Sequence, residues 1–381
     1  MYRGQRVGVV MPACNEEGFV GDVIGDMPTF VDRIYAIDDC STDGTWREIL
    51  AAAREDRDAL ERKRTARDRP ARDRRETTQR TEGVTETARA VPDEQDSVLT
   101  DGGVSVLAKR ATVHDPIGRV VPIRHPENRG AGAAIKTGYL AALEDGVDAA
   151  VTVDADGQMD LEQMSRLLDP LVEGTADYAK GNRLQSSEYR ASMPRFRLFG
   201  NAILTVLTKF ASGYWKTMDP QNGYTAISRE ALEAVDVEGL YEYYGYCNDL
   251  LVKLNVNDMA VADVAMPAVY GEEESSIAYT EYVPKVSTML FRNFLWRLRT
   301  KHLVRGFHPL VLLYPFGVVT GVIGAIGVLQ SLVTLAGTGS VSYQGTASAV
   351  VLVVGIASLL FAIGFDVDES EHLETQVGPT Q

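Results

Sequence analysis

The N-terminal part of the chain alternates between short apolar runs and longer stretches with helical periodicity. The runs cover residues 6–11, 34–37, 120–123 and 149–153, and polar residues follow each of them. This alternation is typical of βα units, so we predict an α/β fold with a mainly parallel, Rossmann-like sheet. Ligands of such sheets bind at the carboxyl ends of the strands, and functional residues are therefore expected directly after these runs.

Two longer apolar runs follow, over about 309–336 and 347–365, and residues 306–365 contain no Asp, Glu, Lys or Arg. Each run can cross a hydrocarbon core, which needs about 20 helical residues. A Gly- and Ser-rich break at 337–345 suits a tight turn between them. We predict a two-helix transmembrane hairpin within 307–366. Two buried helices of a soluble protein are the alternative, which the long absence of charge disfavours.

The stretch before the first span, residues 288–306, combines apolar residues at helical spacing with basic ones: Arg292, Arg297, Arg299, Lys301 and Arg305. This combination is typical of an interfacial amphipathic helix in the headgroup plane of a bilayer. A second amphipathic stretch, 196–210, fits interfacial placement or core packing equally well. The basic residues also place the large N-terminal domain in the cytoplasm. Two spans then return residues 367–381 to that side as a cytoplasmic tail, so we predict a multi-pass protein of the cell membrane.

Residues 1–287 make up the predicted N-terminal domain, but one segment within it does not fit the alternation. Residues 54–115 are dense in Arg, Asp and Glu and have hardly any apolar periodicity. Such a segment buries too little apolar surface to offset the entropy of ordering it. We predict an insertion, with a charged helix over about 54–76 and a flexible remainder.

The net charge and the cysteine spacing argue against one class of partner and one kind of metal site. The formal net charge of −15 argues against a nucleic-acid partner. The three cysteines, Cys14, Cys40 and Cys247, show no CxxC spacing, which indicates free thiols and no zinc site.

Two carboxylates stand one residue apart after the fourth apolar run, in Asp154-Ala155-Asp156-Gly157-Gln158. At a strand end both can present oxygens to one hard cation, and Mg²⁺ or Mn²⁺ held in this way keeps open positions for a diphosphate. An acidic turn is the alternative, because Asp and Gly are common turn residues.

Acidic loops also follow the first two apolar runs, in Pro12-Ala13-Cys14-Asn15-Glu16 and in Asp38-Asp39-Cys40-Ser41. Carboxylates in these places can accept hydrogen bonds from a base N–H and from ribose hydroxyls. Three acidic loops at one sheet edge predict a shared site rather than three solvated turns.

These motifs together resemble family 2 glycosyltransferases of the GT-A fold, and within them the dolichol-phosphate mannose synthase and polyprenyl-phosphate hexosyltransferase group. The resemblance covers nearly the whole chain outside the insertion. It also includes Asn128-Arg129-Gly130, Gly181-Asn182-Arg183 and Asp219-Pro220-Gln221-Asn222-Gly223. Relatives usually carry Tyr where this chain has Cys14, so aromatic packing near the donor base is absent or supplied elsewhere.

The resemblance implies roles for individual residues. It assigns the nucleotide sugar to Pro12, Cys14, Glu16, Asp38, Asp39, Asp154 and Ala155. It assigns the metal to Asp154, Asp156 and Gln158, and catalysis to Asp156, Arg183 and Asp249. It assigns the acceptor phosphate to Arg195 or Arg197, and Arg292 in the basic stretch before the spans is a further candidate. For Asp249, an ordinary exposed helix acid is the alternative.

The Gly-rich segment 128–137 has Ile135 where a Walker A loop or a dinucleotide fingerprint needs glycine. It therefore predicts only a glycine-rich start of a helix. Such a start either packs closely on the sheet or places backbone N–H groups near phosphate, and we favour packing.

From the resemblance we expect metal-dependent, inverting transfer of glucose or mannose from a UDP- or GDP-sugar to dolichyl or polyprenyl phosphate, for protein N-glycosylation. A lipid monophosphate is largely anionic at neutral pH and needs little help from a general base. One alternative is a processive polysaccharide synthase, although the chain lacks a QxxRW motif and has only two predicted spans. The other is a non-catalytic membrane scaffold, against which the intact carboxylates and Arg183 argue.

Overall fold

The computed structural model describes residues 1–68, 105–184, 195–267, 279–338 and 343–378. Nine strands of these residues form one sheet. They are β1 Val7–Ala13, β2 Arg33–Asp38, β3 Thr112–Val113, β4 Val120–Arg124, β5 Ala149–Thr152, β6 Tyr178–Asn182, β7 Thr225–Ser228, β8 Val261–Ala265 and β9 Glu374–Val377.

The sheet is mixed but mainly parallel, in the order β3-β4-β2-β1-β5-β7-β6-β8-β9. Strand β1 pairs in parallel with β2 and β5, and β2 with β4. Strand β7 runs antiparallel between β5 and β6, while β8 is parallel to both β6 and β9. The predicted α/β fold is confirmed, and the parallel register brings the ends of β1, β2 and β5 to one edge.

Helices cover both faces of this sheet. The helices are α1 Val20–Gly25, α2 Thr45–Asp68, α3 Val106–Arg110, α4 Ala131–Asp145, α5 Met164–Val172, α6 Arg195–Ser212, α7 Arg229–Ala234, α8 Tyr246–Val256, α9 Tyr279–Arg299, α10 Leu310–Thr338 and α11 Tyr343–Ser370. In β1, Val9 and Met11 pack with α1, α2 and α5, whereas Val10 packs with α4 on the other face. Burial on both faces explains why the strands read as continuous apolar runs.

Helices α10 and α11 form an antiparallel pair, called the hairpin here. Both are long and apolar enough to cross a membrane, and only 17% of the apolar window of each is buried. That exposure does not fit the alternative of two buried core helices. The pair packs closely through glycine: a Cβ on Gly324 would lie 2.4 Å from the backbone nitrogen of Leu352. Small residues permit such close approach of two helices.

The chain after the hairpin includes most of the predicted tail, residues 367–381. Helix α11 continues to Ser370, and Glu374–Val377 then form β9, which pairs in parallel with β8. This pairing satisfies backbone groups of β8 that would otherwise form an open strand edge. The tail thus packs on the N-terminal domain, and its place in the cytoplasm stays a prediction.

The predicted interfacial helix, 288–306, corresponds to the second half of α9 and a π-helical turn at Thr300–Arg305. Its basic residues do not all face outward. Arg297 is fully buried and pairs with Asp366, and Lys301 is buried with its Nζ 2.7 Å from Asp258. Arg292 and Arg299 are exposed, among the exposed apolar side chains of Phe291, Leu295 and Trp296.

The second amphipathic stretch contributes to core packing on one side, and its interfacial placement stays a prediction. Helix α6 buries Leu204 against Val286 and Leu290 of α9, while Ile203 and Val206 on another side are exposed.

The ends of the predicted insertion belong to the folded domain. Residues 54–68 continue α2, in which Asp56 is buried and holds Arg119 through two hydrogen bonds of 2.8 and 2.9 Å. At the other end, Thr112–Val113 add an antiparallel edge strand to β4. The part between, residues 69–104, lies outside the described residues.

Candidate active site

A cleft of about 1220 Å³ opens at the sheet edge where β1, β2 and β5 end, and eight of the predicted site residues line it. These are Pro12, Cys14, Glu16, Asp39, Asp154, Ala155, Asp156 and Arg183. Gln158 lines a smaller adjoining cavity that shares Asp154, Asp156 and Arg183 with the cleft. Another part of its lining comes from α6 and α9, through Gly200, Leu204, Tyr282 and Val283. The sheet edge and these two helices therefore share one cavity.

Asp154 and Asp156 follow β5, which ends at Thr152. The backbone N–H of Gln158 donates to Asp156 Oδ1 at 2.9 Å, which closes the loop into a tight turn at Gly157, with φ +71°. Enclosure by surrounding protein and the neighbouring Asp156 carboxylate raise the pKa of Asp154 to about 7, against the opposing effect of Arg183. The fold thus holds the Asp154 and Asp156 carboxylates close together although they repel each other.

This donor set fits a divalent cation, although it is sparse. Among the described residues, no group of three His, Cys, Asp or Glu side chains is placed to hold a metal. Magnesium commonly binds through one or two carboxylates plus substrate phosphates, so Asp154 and Asp156 suffice for a site completed by a nucleotide diphosphate. A cation there would also relieve the repulsion that raises the pKa of Asp154.

Arg183 reaches the cleft from the end of β6 and is held in place by Asp219. Its Nε and Nη2 donate to the Asp219 carboxylate at 2.7 and 2.9 Å, and its backbone N–H donates to the same group at 3.1 Å. Burial alone would raise the pKa of Asp219, but the Arg183 guanidinium lowers it below the ordinary value. The Arg183 side chain is 26% exposed, so it combines a fixed orientation with access to the cleft.

The two adjacent carboxylates after β2 have different places. Asp39 lines the cleft, and its oxygens accept hydrogen bonds from His125 and from the backbone N–H groups of Arg129 and Gly130, at 2.7 to 2.9 Å. Asp38 is buried away from the cleft lining, where it pairs with Arg124 at 3.0 Å. Asp38 therefore stands behind the cleft, contrary to the direct nucleotide contact expected from the sequence.

The Gly-rich segment packs, as favoured by the sequence analysis. A Cβ on Gly138 would lie 2.2 Å from Val10 Cγ1, and one on Gly132 would lie 2.6 Å from the carbonyl oxygen of Tyr241. The backbone N–H of Ala133 donates to the Glu242 carbonyl at 2.9 Å. Helix α4 thus begins against the loop 241–245, and Gly130 and Ala131 at its start also line the cleft.

Asp249 is not brought together with the other predicted residues. It is 6% exposed on α8, is not among the residues lining the cleft, and accepts hydrogen bonds from Tyr241 N and Asn293 Nδ2 at 3.0 and 2.7 Å. Burial raises the pKa of Asp249. The alternative of an exposed acid is therefore wrong, and the catalytic role stays a prediction. In this position Asp249 ties the loop 241–245 to α9.

Of the predicted acceptor arginines, only Arg292 has a described side chain. Arg292 is exposed on α9 but does not line the cleft. Arg195 and Arg197 begin α6, and their side chains lie outside the described residues.

A chain of neutral polar groups crosses the cleft floor and was missed by the sequence analysis. The Tyr282 hydroxyl donates to Gln221, Gln221 Nε2 donates to Asn248 Oδ1 at 3.1 Å, and Asn248 Nδ2 donates to Thr208. Gln221 lies within a motif that the sequence analysis quotes, but Tyr282 comes from a helix 61 residues later and gives no local signal.

The chain is similar in sequence to one protein family and to two characterised relatives. Residues 95–236 match the family model of Glycosyl transferase family 2. Polyprenol monophosphomannose synthase of Mycolicibacterium smegmatis is 30% identical over 190 residues, which cover 48% of this chain and 68% of that protein. UDP-N-acetylglucosamine–dolichyl-phosphate N-acetylglucosaminyltransferase of Methanococcus voltae is 31% identical over 154 residues, covering 40% of this chain and 61% of that protein.

Among solved structures, glucosyl-3-phosphoglycerate synthase of Mycobacterium tuberculosis in complex with uridine diphosphate is similar at a TM-score of 0.45 and 18% identity, covering 77% of this chain and 80% of that one. The matches to the first two curated relatives span 61% and 64% of those proteins.

The mainly parallel mixed sheet with a cleft at its strand ends, together with the family match, defines a protein of the GT-A fold. The chain belongs to Glycosyl transferase family 2. The resemblance drawn from its motifs is confirmed.

Proposed function

We propose that this chain transfers a sugar from a nucleotide sugar to a polyprenyl phosphate at a membrane surface. One observation carries the proposal: the cleft with Asp154, Asp156 and Arg183 is also lined by residues of α6 and α9. Those helices bear exposed apolar side chains, and α9 leads through the π-helical turn to the hairpin. A lipid-linked acceptor lying in the bilayer would reach the cleft along this wall.

The donor diphosphate would bind beside Asp154 and Asp156, with Gln158 as a third ligand of Mg²⁺ or Mn²⁺. The cation supplies charge neutralisation for the departing nucleotide. Arg183, oriented by Asp219, presents a second positive charge to the same region of the cleft. Fixed cations placed where negative charge develops stabilise the transition state.

The acceptor phosphate oxygen is the nucleophile and is already anionic at neutral pH. No described carboxylate needs to act as its base, which agrees with the place of Asp249 away from the cleft lining. Direct attack on the anomeric carbon breaks the bond to the diphosphate oxygen and inverts the configuration. The work of the protein is then positioning and charge neutralisation.

The sugar remains open between glucose and mannose, expected from the motifs, and N-acetylglucosamine, which the Methanococcus voltae protein carries in its name. We infer that the hairpin spans the cell membrane with the catalytic domain in the cytoplasm. We also infer that the product serves protein N-glycosylation.

The test uses membranes with the full chain, a panel of radiolabelled UDP- and GDP-sugars, and a short polyprenyl phosphate. We expect label from one donor to enter the organic phase, and to stop doing so when EDTA removes divalent metal. Asp156→Asn should lower this transfer by about a hundredfold or more, because one of two carboxylate ligands is lost.

Glu162→Gln is the matched control, because Glu162 is an exposed carboxylate six residues further along. It should transfer at the wild-type rate. Full activity of Asp156→Asn, or of the wild type in EDTA, would remove the metal assignment. Absence of organic-phase label with every donor would remove the acceptor assignment.

A further inference from the structure

The half-buried carboxylate of Glu374, the first residue of β9, reaches a loop outside the strand. Its oxygens accept hydrogen bonds from the backbone N–H groups of Trp215, Lys216 and Thr217, at 2.8, 2.7 and 2.8 Å. The Thr217 hydroxyl donates a fourth, at 3.1 Å. Three consecutive N–H groups directed at one carboxylate form a strong, charge-assisted anchor. A side chain from beyond the hairpin thus holds a loop of the catalytic domain.

The same loop leads directly into Asp219. The next N–H, that of Met218, donates to Asp263 at 3.1 Å, and Lys180 Nζ donates to the Met218 carbonyl and to Asp263. Every backbone N–H from Trp215 to Met218 is therefore bound by a carboxylate. These carboxylates come from β9 and β8, which are neighbouring strands.

Asp219 needs this support because its backbone is strained. Its φ of +49° lies in the left-handed region, which is unfavourable for a residue with a Cβ and persists only when the surroundings impose it. From that position its fully buried carboxylate binds Arg183 through three N–H groups. The orientation of Arg183 in the cleft thus depends on the path of residues 215–219.

We propose that Glu374 is a positioning residue for the Arg183–Asp219 pair, so that the strand following the membrane hairpin helps to set the active-site geometry. This rests on the proposed glycosyl transfer, in which Arg183 offsets charge on the leaving diphosphate. The competing explanation is that β9 only covers the edge of β8. Backbone pairing of β9 already serves that purpose, and it does not require the Glu374 side chain.

The experiment compares Glu374→Gln with Glu371→Gln in the full membrane protein. Gln keeps the shape of Glu374 but offers one acceptor oxygen to four donors. Glu371 is the matched control, because within the described residues its carboxylate makes an exposed ion pair with Lys216 Nζ, at 2.9 Å, and no buried contact. We expect Glu374→Gln to lower kcat for transfer about tenfold with the KM for the donor within about twofold of wild type. Glu371→Gln should leave both unchanged.

A double-mutant cycle separates positioning from a merely structural effect. In an Arg183→Lys background the bidentate contact with Asp219 is already lost, so adding Glu374→Gln should lower kcat by no more than about twofold further. The full tenfold loss in both backgrounds would overturn the proposal, as would wild-type kcat for Glu374→Gln.

If Glu374→Gln fails to fold, Thr217→Val takes its place, because it removes one of the four bonds and leaves β9 intact. It should lower kcat roughly twofold to threefold with an unchanged unfolding midpoint, and unchanged kcat in this variant would also overturn the proposal. Failure of the wild type to transfer any sugar instead refutes the proposed function itself, so the two failures are distinguishable.

Discussion

At the scale of single residues, the cleft depends on charged groups whose environment is built by neighbours distant in sequence. Asp219 is fully buried, and the Arg183 guanidinium holds its pKa below the ordinary value against the opposing effect of burial. A carboxyl whose pKa is lowered by folding stabilises the folded state wherever it is ionised. That contribution is present above the unfolded-state pKa, about 4, and is lost as the pH falls below it.

Asp219→Asn should therefore destabilise the protein most at neutral pH. We expect the difference in unfolding midpoint between wild type and this variant to be constant from pH 7 to about pH 5 and to shrink below about pH 4. Thermal unfolding of the purified protein in detergent at several pH values measures it. Glu162→Gln, at an exposed carboxylate, should differ little from wild type throughout. A difference that grows as the pH falls would contradict the pairing.

At the scale of elements, the hairpin is held by backbone contact more than by large side chains. Gly317, Gly324 and Gly355 each lie where a Cβ would meet the opposite helix at 2.8 Å or less. Such proximity is usual for helices packed in membranes, because van der Waals contact there replaces the hydrophobic driving force. The order of small residues along both helices thus sets which faces meet.

Gly324→Ala is expected to lower the free energy of unfolding by roughly 1–3 kcal/mol. Its unfolding midpoint in detergent should fall accordingly. The added methyl group would lie 2.4 Å from the Leu352 backbone nitrogen, so the helices must separate. Gly364→Ala is the control, since no atom lies within 4 Å of its Cβ position. An equal response of both variants would show that helix propensity, and not the helix–helix contact, decides the effect.

At the scale of the whole molecule, the hairpin and the catalytic domain are joined by buried polar contacts. Arg297 of α9 binds both carboxylate oxygens of Asp366 on α11 at 2.8 Å, and neither side chain is exposed. Arg297 also donates to the carbonyls of Phe210 and Ala211, at the end of α6. With β9 on the sheet, these contacts fix the catalytic cleft relative to the hairpin.

Arg297→Met should destabilise the folded protein by roughly 3–5 kcal/mol, because it leaves the Asp366 carboxylate buried without its partner. The double variant Arg297→Met/Asp366→Leu should recover part of this loss, since no lone charge remains. Arg299→Met, at an exposed arginine two residues further on, is the control for removing a positive charge. Unfolding in detergent measures all three, and equal stability of the Arg297 and Arg299 variants would refute the role of the pair.

Several site residues were predictable because strand ends are local features. Apolar runs followed by Asn15-Glu16, Asp39 and Asp154–Asp156 place these groups at one sheet edge, and the structure brings them to one cleft. The choice between Asp38 and Asp39 was not predictable, because successive residues at a strand end point in different directions. Only the packed neighbours, Arg124 for one and His125 for the other, show which carboxylate faces the cleft.

The sequence by itself determined the α/β fold, the apolar hairpin and the family, since these depend on periodicity and on motifs of adjacent residues. Only the tertiary structure decided that Arg297 is buried, that Asp249 supports a loop, and that Glu374 belongs to the sheet. The side chains of Arg297, Asp249 and Glu374 form hydrogen bonds with residues that lie 69, 44 and about 158 positions away in the chain. A charged residue has the same local pattern whether it meets water or a distant carboxylate, so its role is set by the fold that brings the partner to it.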